Sequence, residues 1–406
     1  MARRAAISFK KIAPRIVGIL GMYRPARIQR FEIRGNFPTT DIQEHGNQEL
    51  AGIVYDIPDY TVTLSAFDVS HKIFAALTGT DPEAYPTAGV SINALDTVDI
   101  IGDVKDESVM DYVKSMYIRK ARPQSIRMAY TVEGQATEEY TFAASTRQLF
   151  THDVVVDVLS AASSPQIASE TPEILKNGNY CISVILDGTY LTEVAAAPAT
   201  GEYAVSGTDV SFAGSGTTLM VTYKAAPAGT AWTWISDTTI PPAISGKDVP
   251  ITISAIDTST DTSIPRVQSV NISANLRADA IREQGNSEIV GYETQVPEVT
   301  GDITVLDTDQ ALLALFSTGS YTSTDTEFRS CELLDDYNLA LKVELRDPST
   351  PCSSTSSIVV KTIYVEDIQL TGESYVSNVG NNVNHTFNFR SSAGNLLVFS
   401  GEYSAV

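Results

Sequence analysis

One register runs through most of this 406-residue chain. The segment from Arg27, RIQRFEIRGNFPTTDIQEHGNQELAG, aligns without a gap on the segment from Arg266, RVQSVNISANLRADAIREQGNSEIVG, at a constant offset of 239. Arg27, Gln29, Ile33, Asn36, Gly52 and Pro58 thereby meet Arg266, Gln268, Ile272, Asn275, Gly291 and Pro297. Farther on, Lys114 and Tyr117 meet Lys361 and Tyr364, and Tyr140 and Phe142 meet Phe387 and Phe389, at an offset of 247. The extra residues fall in the Pro/Ser-rich run from Asp347 to Ser357, a surface-loop composition with no counterpart in the first copy. A period this long marks a duplicated domain, and both copies must solve the same folding problem.

Within a copy the apolar period is mostly two. Phe31 and Ile33, then Met128, Tyr130 and Val132, then Tyr140 and Phe142 alternate with polar neighbours, as do Val270 and Ile272, then Phe387 and Phe389, in the second copy. These patterns predict half-buried antiparallel strands. One stretch departs from them: Ile73, Phe74 and Leu77 after Asp68, and Leu312, Leu313 and Phe316 after Asp307, follow helical spacing, with each Asp placed as an N-cap. Ile16 to Tyr23 is too short to span a bilayer and reads as a strand.

The fold class expected is mainly β: two tandem β-sandwich domains, each with one flanking helix, over residues 1–164 and 246–406, with a small all-β, Ig-like insertion over 165–245. The insertion announces itself through the alternation of Tyr180, Ile182, Val184 and Leu186 before Asp187-Gly188, a dipeptide suited to a two-residue hairpin turn. With 43% apolar residues, each domain can have a core.

The formal charge is −21, yet residues 1–30 carry eight basic side chains and no acidic one, which leaves −29 for the remainder. A body this acidic repels the phosphates of nucleic acid. The basic head is either a solvated tail or an arm for an acidic neighbour. Three cysteines without C-x-x-C spacing, Cys181, Cys331 and Cys352, argue against a disulfide framework or a zinc site and fit a reducing compartment at synthesis.

No phosphate-binding loop, H-E-x-x-H helix or G-x-S-x-G elbow occurs, and His45, His71, His152 and His385 are isolated in sequence. Asp257 to Asp261 lacks the Gly and closing Glu of a calcium loop. The expectation is therefore a non-enzymatic chain with no catalytic residues, cofactor or metal. Glu44, Gly46, Asn47 and Glu49, repeated as Glu283, Gly285, Asn286 and Glu288, are the densest run of retained polar and Gly residues. A carboxylate pair repeated in two domains suits a repeated contact better than one catalytic cleft, so these eight are the candidate inter-subunit residues.

The pattern V-Q-x-x-x-I, E-x-G-N-x-E-[LI]-x-G and an Asp-started helix, with the closing segment from Lys361 and its late F-x-F, resembles the tail tube proteins of long-tailed bacteriophages. The resemblance implies a β-sandwich with a projecting loop, whose sheets join edge to edge around a channel. It implies a virion protein made in the host cytoplasm that assembles with itself into stacked rings. Two domains per chain imply three-fold, pseudo-hexameric rings. Partners implied are the tape measure, the tail terminator and the distal tail or baseplate proteins, with no membrane; genomic DNA would pass through without specific binding, past an acidic lumen. A tandem β-sandwich binding module, carbohydrate-binding or adhesin-like, is the alternative that composition leaves open.

Overall fold

The computed structural model describes residues 12–19, 21–43, 50–55, 57–67, 69–105, 112–151, 153–214, 216–225, 243–255, 262–264, 266–284, 289–306, 316, 339–348, 358–376 and 383–401. The first copy contributes β1 (Ile12–Gly18), β2 (Gly21–Tyr23), β3 (Ile28–Asn36), β4 (Thr39–Gln43), β5 (Leu50–Tyr55), β6 (Asp59–Ala66), helix α1 (Lys72–Thr78), β7 (Val90–Ser91), β8 (Val98–Lys105), β9 (Tyr112–Thr131), β10 (Thr137–Ala144) and β11 (Thr146–Phe150). A middle segment adds β12 (Asp153–Ser160), β13 (Gln166–Ile167), β14 (Cys181–Leu186), β15 (Thr189–Tyr190), β16 (Thr192–Glu193), β17 (Glu202–Ser206), β18 (Asp209–Phe212) and β19 (Thr218–Ala225). The second copy contributes β20 (Ile251–Ala255), β21 (Thr262–Ser263), β22 (Val267–Asn275), β23 (Ala278–Arg282), β24 (Ile289–Thr294), β25 (Glu298–Leu306), β26 (Leu339–Arg346), β27 (Val359–Val376), β28 (Asn384–Ser391) and β29 (Leu396–Ser400). The protein is mainly β.

The duplication extends to backbone irregularities. Arg27 and Arg266, at the first offset, both take left-handed φ values of 50° and 57°. Each precedes a β-bulge, and in each the bulged glutamine donates back to the Arg carbonyl, Gln29 Nε2 at 3.0 Å and Gln268 Nε2 at 3.2 Å. Lys120 and Asp367, at the second offset, have φ of 49° and 51°. At these points the long strands β9 and β27 change sheets. The amino half of β9 pairs with β8 and β11 and its carboxyl half with β10 and β22. Likewise the amino half of β27 pairs with β26 and β29, and its carboxyl half with β28. Bulges sharpen local twist and let one strand serve two sheets.

The two copies do not pack separately. Seventeen of their strands form one sheet system, and one cluster of buried side chains runs from Ile16, Phe74 and Tyr140 in the first copy to Ile272, Phe389 and Val398 in the second. At its centre is a continuous antiparallel sheet of eight strands in the order β3-β6-β10-β9-β22-β25-β28-β27. Its inward residues, such as Val62, Leu64, Met128, Ile272, Ile303 and Phe387, are buried.

Helix α1 buries Ile73, Phe74 and Leu77 as the spacing requires. Its N-cap position is His71, three residues beyond Asp68 in sequence, with no side-chain cap. Asp68 itself lies outside the described residues, as does the second copy's helical segment apart from Phe316.

The middle segment forms two four-stranded sheets, β12-β19-β14-β15 and β13-β18-β17-β16, around their own core of Val184, Tyr203, Val210, Phe212 and Tyr223. Among the described residues its strands run from Asp153 to Ala225, so the segment starts before 165. Asp187 and Gly188, with φ of 45° and 86°, make the two-residue turn between β14 and β15. The alternation of β14 is interrupted by a bulge after Cys181, and the strand is buried on both faces.

The basic head is also revised. Arg15, counted there, is a buried residue of β1 whose Nη2 donates to Asp103 Oδ1 at 3.0 Å and to the Val154 carbonyl at 2.7 Å. Residues 1–11 lie outside the described residues.

Candidate assembly surface

The seam between the copies is built from strands that alternation alone specifies. β22 and the carboxyl half of β9 pair in a fixed register, Ile272 opposite Met128 and Asn275 opposite Ser125. A second pairing, Val398 with Val90, ties β29 to β7. Between them sits an ion pair with no solvent access: Lys361 Nζ lies 2.7 and 2.9 Å from the two carboxylate oxygens of Glu138. The hydroxyls of Tyr130 and Tyr140 donate to the same carboxylate at 3.2 and 2.5 Å, and the ammonium lies 5.0 Å from the Phe74 ring centre. Every oxygen of Glu138 is thus answered, which a buried charge requires. Burial first, and the Glu138 charge second, push the Tyr130 phenol well above its ordinary range.

The hairpin β23–β24 reaches back over the first copy. Tyr292 donates its hydroxyl to the Ala143 carbonyl at 3.2 Å, the Ile289 amide donates to Ser145 Oγ at 3.1 Å, and Arg282 pairs with Asp59 at 2.6 Å. Under it lies a cleft of about 280 Å³ lined by Asp96, Arg119, Lys120, Arg122 and Tyr190. The first copy's equivalent hairpin, β4–β5, exposes Ile42, Ile53, Val54 and Tyr55, the last at 74%.

Both outer edges of the eight-stranded sheet are open among the described residues. Among the described residues no strand pairs with the outer edge of β3 or with that of Leu370 to Val376 in β27. By the two offsets these are the counterparts of β22 and of the carboxyl half of β9, the pair that joins the copies. The eight-stranded sheet therefore ends on the same two surfaces that meet at its middle.

The outer face of that sheet is polar. Arg30, Arg34, Arg127 and Arg390 interleave with Glu32, Asp59, Glu139, Glu298 and Asp302 among Thr, Ser and Asn side chains. Charge is nearly balanced on this face, because strand pairing sets acids beside bases.

The middle segment sits on the sheet of β1, β8 and the amino half of β9. Val17, Ile101 and Tyr117 pack on Val154, Ile182, Ile185 and Met220. Within this apolar seat Asp99 is buried and accepts from the Tyr117 hydroxyl, from Ser183 Oγ at 3.0 Å, from the Tyr190 hydroxyl at 2.7 Å and from the Lys120 amide at 2.9 Å. The Tyr117 phenol is raised strongly, by burial first and then by the Asp99 charge.

Of the eight candidate contact residues, Glu283 is described, exposed at the end of β23. Glu44, Gly46, Asn47, Glu49, Gly285, Asn286 and Glu288 lie outside the described residues, between the strands of the two hairpins. Sequence reasoning missed Lys361, Glu138 and Asp99. The signal was available: each is charged at an inward position, Glu138 in step with Tyr140 and Phe142, and Lys361 in step with Ile363 and Val365.

Among the described residues no group of three His, Cys, Asp or Glu side chains could hold a metal ion, and no helix is long and apolar enough to cross a membrane. No family model matches the chain, and no curated protein matches it. Among solved structures it is similar to the SPP1 tail tube, determined by solid-state NMR and cryo-EM, at 16% identity over 39% of this chain and 80% of that one, with a TM-score of 0.25.

Proposed function

We propose that this chain is a non-enzymatic structural subunit that closes three to a ring and stacks into a tube, the conduit for DNA in a phage tail. The observation that carries this reading is the eight-stranded sheet whose two open edges are the counterparts of the two strands joined at its centre. A unit with complementary ends repeats, and repetition about an axis closes into a ring that leaves neither end of that sheet exposed. In that ring β3 of one chain pairs with the carboxyl half of β27 of the next. The polar outer face of the sheet lines the channel, and its mixed charges give passing DNA no basic surface to bind. Two copies per chain supply six equivalent positions from three chains, the arrangement implied by the resemblance to tail tube proteins. The exposed hairpins and the repeated E-x-G-N-x-E loops are the stacking contacts, and the tape measure, tail terminator and baseplate proteins are the partners at the ends.

Negative-stain electron microscopy and mass measurement of the purified protein test this reading. Rings or filaments of uniform width, with three chains per ring, are the expected result. A protein that stays monomeric at every concentration and salt overturns it in favour of a binding module.

A further inference from the structure

The seam within the chain and the seam between chains are equivalent in backbone but not in charge. At the internal seam the first copy supplies Glu138 and the second supplies Lys361. By the offset of 247, the counterpart of Lys361 is Lys114, half-buried in β9, and the counterpart of Glu138 is His385, buried in β28. An ammonium that moved into the second copy by strict analogy would thus meet an imidazole where the first copy offers a carboxylate. His385 is already engaged: its ring stacks on Tyr375 at a centroid distance of 3.6 Å and lies tilted against Phe387 at 3.8 Å. Its Nε2 lies 3.2 Å from Glu373 Oε2.

Glu373 is the compensating change. It occupies the position that Ile126 fills in the first copy, where Ile126 is buried and paired with Ala274 of β22. In the single chain Glu373 remains 40% exposed on the open edge of β27, beside Tyr375, itself 56% exposed. A carboxylate beside an aromatic ring on an unpaired strand edge makes a receptor for a cation carried on an incoming strand.

We propose, building on the ring reading above, that Lys114 of one chain is received by Glu373 of the next, one strand over from where Glu138 receives Lys361. The carboxylate at each seam is held by a different neighbour, tyrosine hydroxyls within the chain and His385 between chains. The occupant of this surface is accordingly a second copy of the same chain, entering with β3 and Lys114 together.

A charge swap in the full-length protein tests the pair. Glu373→Lys and Lys114→Glu are each expected to raise the concentration for half-assembly at least about thirtyfold, since losing one partner of a desolvated ion pair is costly. Glu373→Gln should act in the same direction more weakly. The combined Lys114→Glu/Glu373→Lys chain should recover assembly toward the parent. Thermal unfolding of the unassembled chains separates assembly from folding, because Glu373 is partly exposed there. Single variants that form rings as readily as the parent, or a swap that restores nothing while its chains stay folded, overturn the pairing and leave the ring standing. A parent chain that forms no rings overturns the ring reading itself.

Discussion

Lys361 and Glu138 stand 223 residues apart in sequence, yet their charged groups meet at 2.7 Å with both side chains closed off from water. Each copy supplies one charge, so neither is satisfied until the two copies have docked. Removing one partner strands the other in a low-dielectric interior, at a cost of about 3–5 kcal/mol. Lys361→Met and Glu138→Gln should each lower stability by that order in urea unfolding, and the double variant should lose clearly less than the two added together. An additive cycle would mean that the groups are not coupled.

Stability should fall on the alkaline side. Burial raises the phenols of Tyr117 and Tyr130, with Asp99 and Glu138 as the second cause, and pushes Tyr292 up to about 12. A phenol whose folded pKa lies above its unfolded value of about 10 holds its proton more tightly when folded. Its contribution is fully present below that pH and is lost as pH rises through the raised value. The urea midpoint is expected to be flat from about pH 8 to about pH 10 and to decline above it. Tyr292→Phe should make the decline shallower, and an unchanged slope would place that ring in water.

Asp99 holds the middle segment in its seat, so Asp99→Asn should loosen that contact first. The amide offers one acceptor oxygen in place of two and sets an N–H₂ among hydroxyl donors. The expected loss is about 2–3 kcal/mol. Hydrogen exchange should quicken at β8, β14 and β15, while the eight-stranded sheet keeps its protection. Equal quickening throughout would show that the segment is not a separate unit of stability.

The strand content and the duplication were legible because period and offset are local or one-dimensional signals. The retained Arg27-x-Gln29 and Arg266-x-Gln268 were visible as identities, but their reason, a bulge closed by a glutamine on a left-handed Arg, belongs to backbone geometry. The start of the middle segment was misplaced by about one strand. Val154, Val156 and Val158 alternate as any copy strand does, and only the second offset, which carries Asp153 to Ser400 at the end of β29, shows that the first copy stops there. The shared core was not legible, since nothing in a period of two says which sheet will cover which. Lys361, Glu138 and Asp99 stood out as charges at apolar positions, but their partners lie on other elements and were hidden for the same reason.

The open edges make a register that can be measured. Internally, Ile272 faces Met128 and Asn275 faces Ser125, and β9 and β27 carry their bulges at equivalent places, Gln124 and Thr371. Transferred by the two offsets, this sets Ile33 of one chain opposite Tyr375 of the next, and Asn36 opposite Gly372. Directly opposed residues of an antiparallel pair bring their Cβ atoms to about 4.5–5.5 Å, close enough for a disulfide with small adjustment. Ile33→Cys with Tyr375→Cys, in a background without the native cysteines, should therefore cross-link assembled chains on mild oxidation and give a covalent ring of three on a non-reducing gel. Phe31→Cys with Glu373→Cys displaces the partners by four residues, about 13 Å along the strand, and should not. Assembled protein in which the first pair stays unlinked, or in which both pairs link equally, would mean that the chains meet in another register or along other strands.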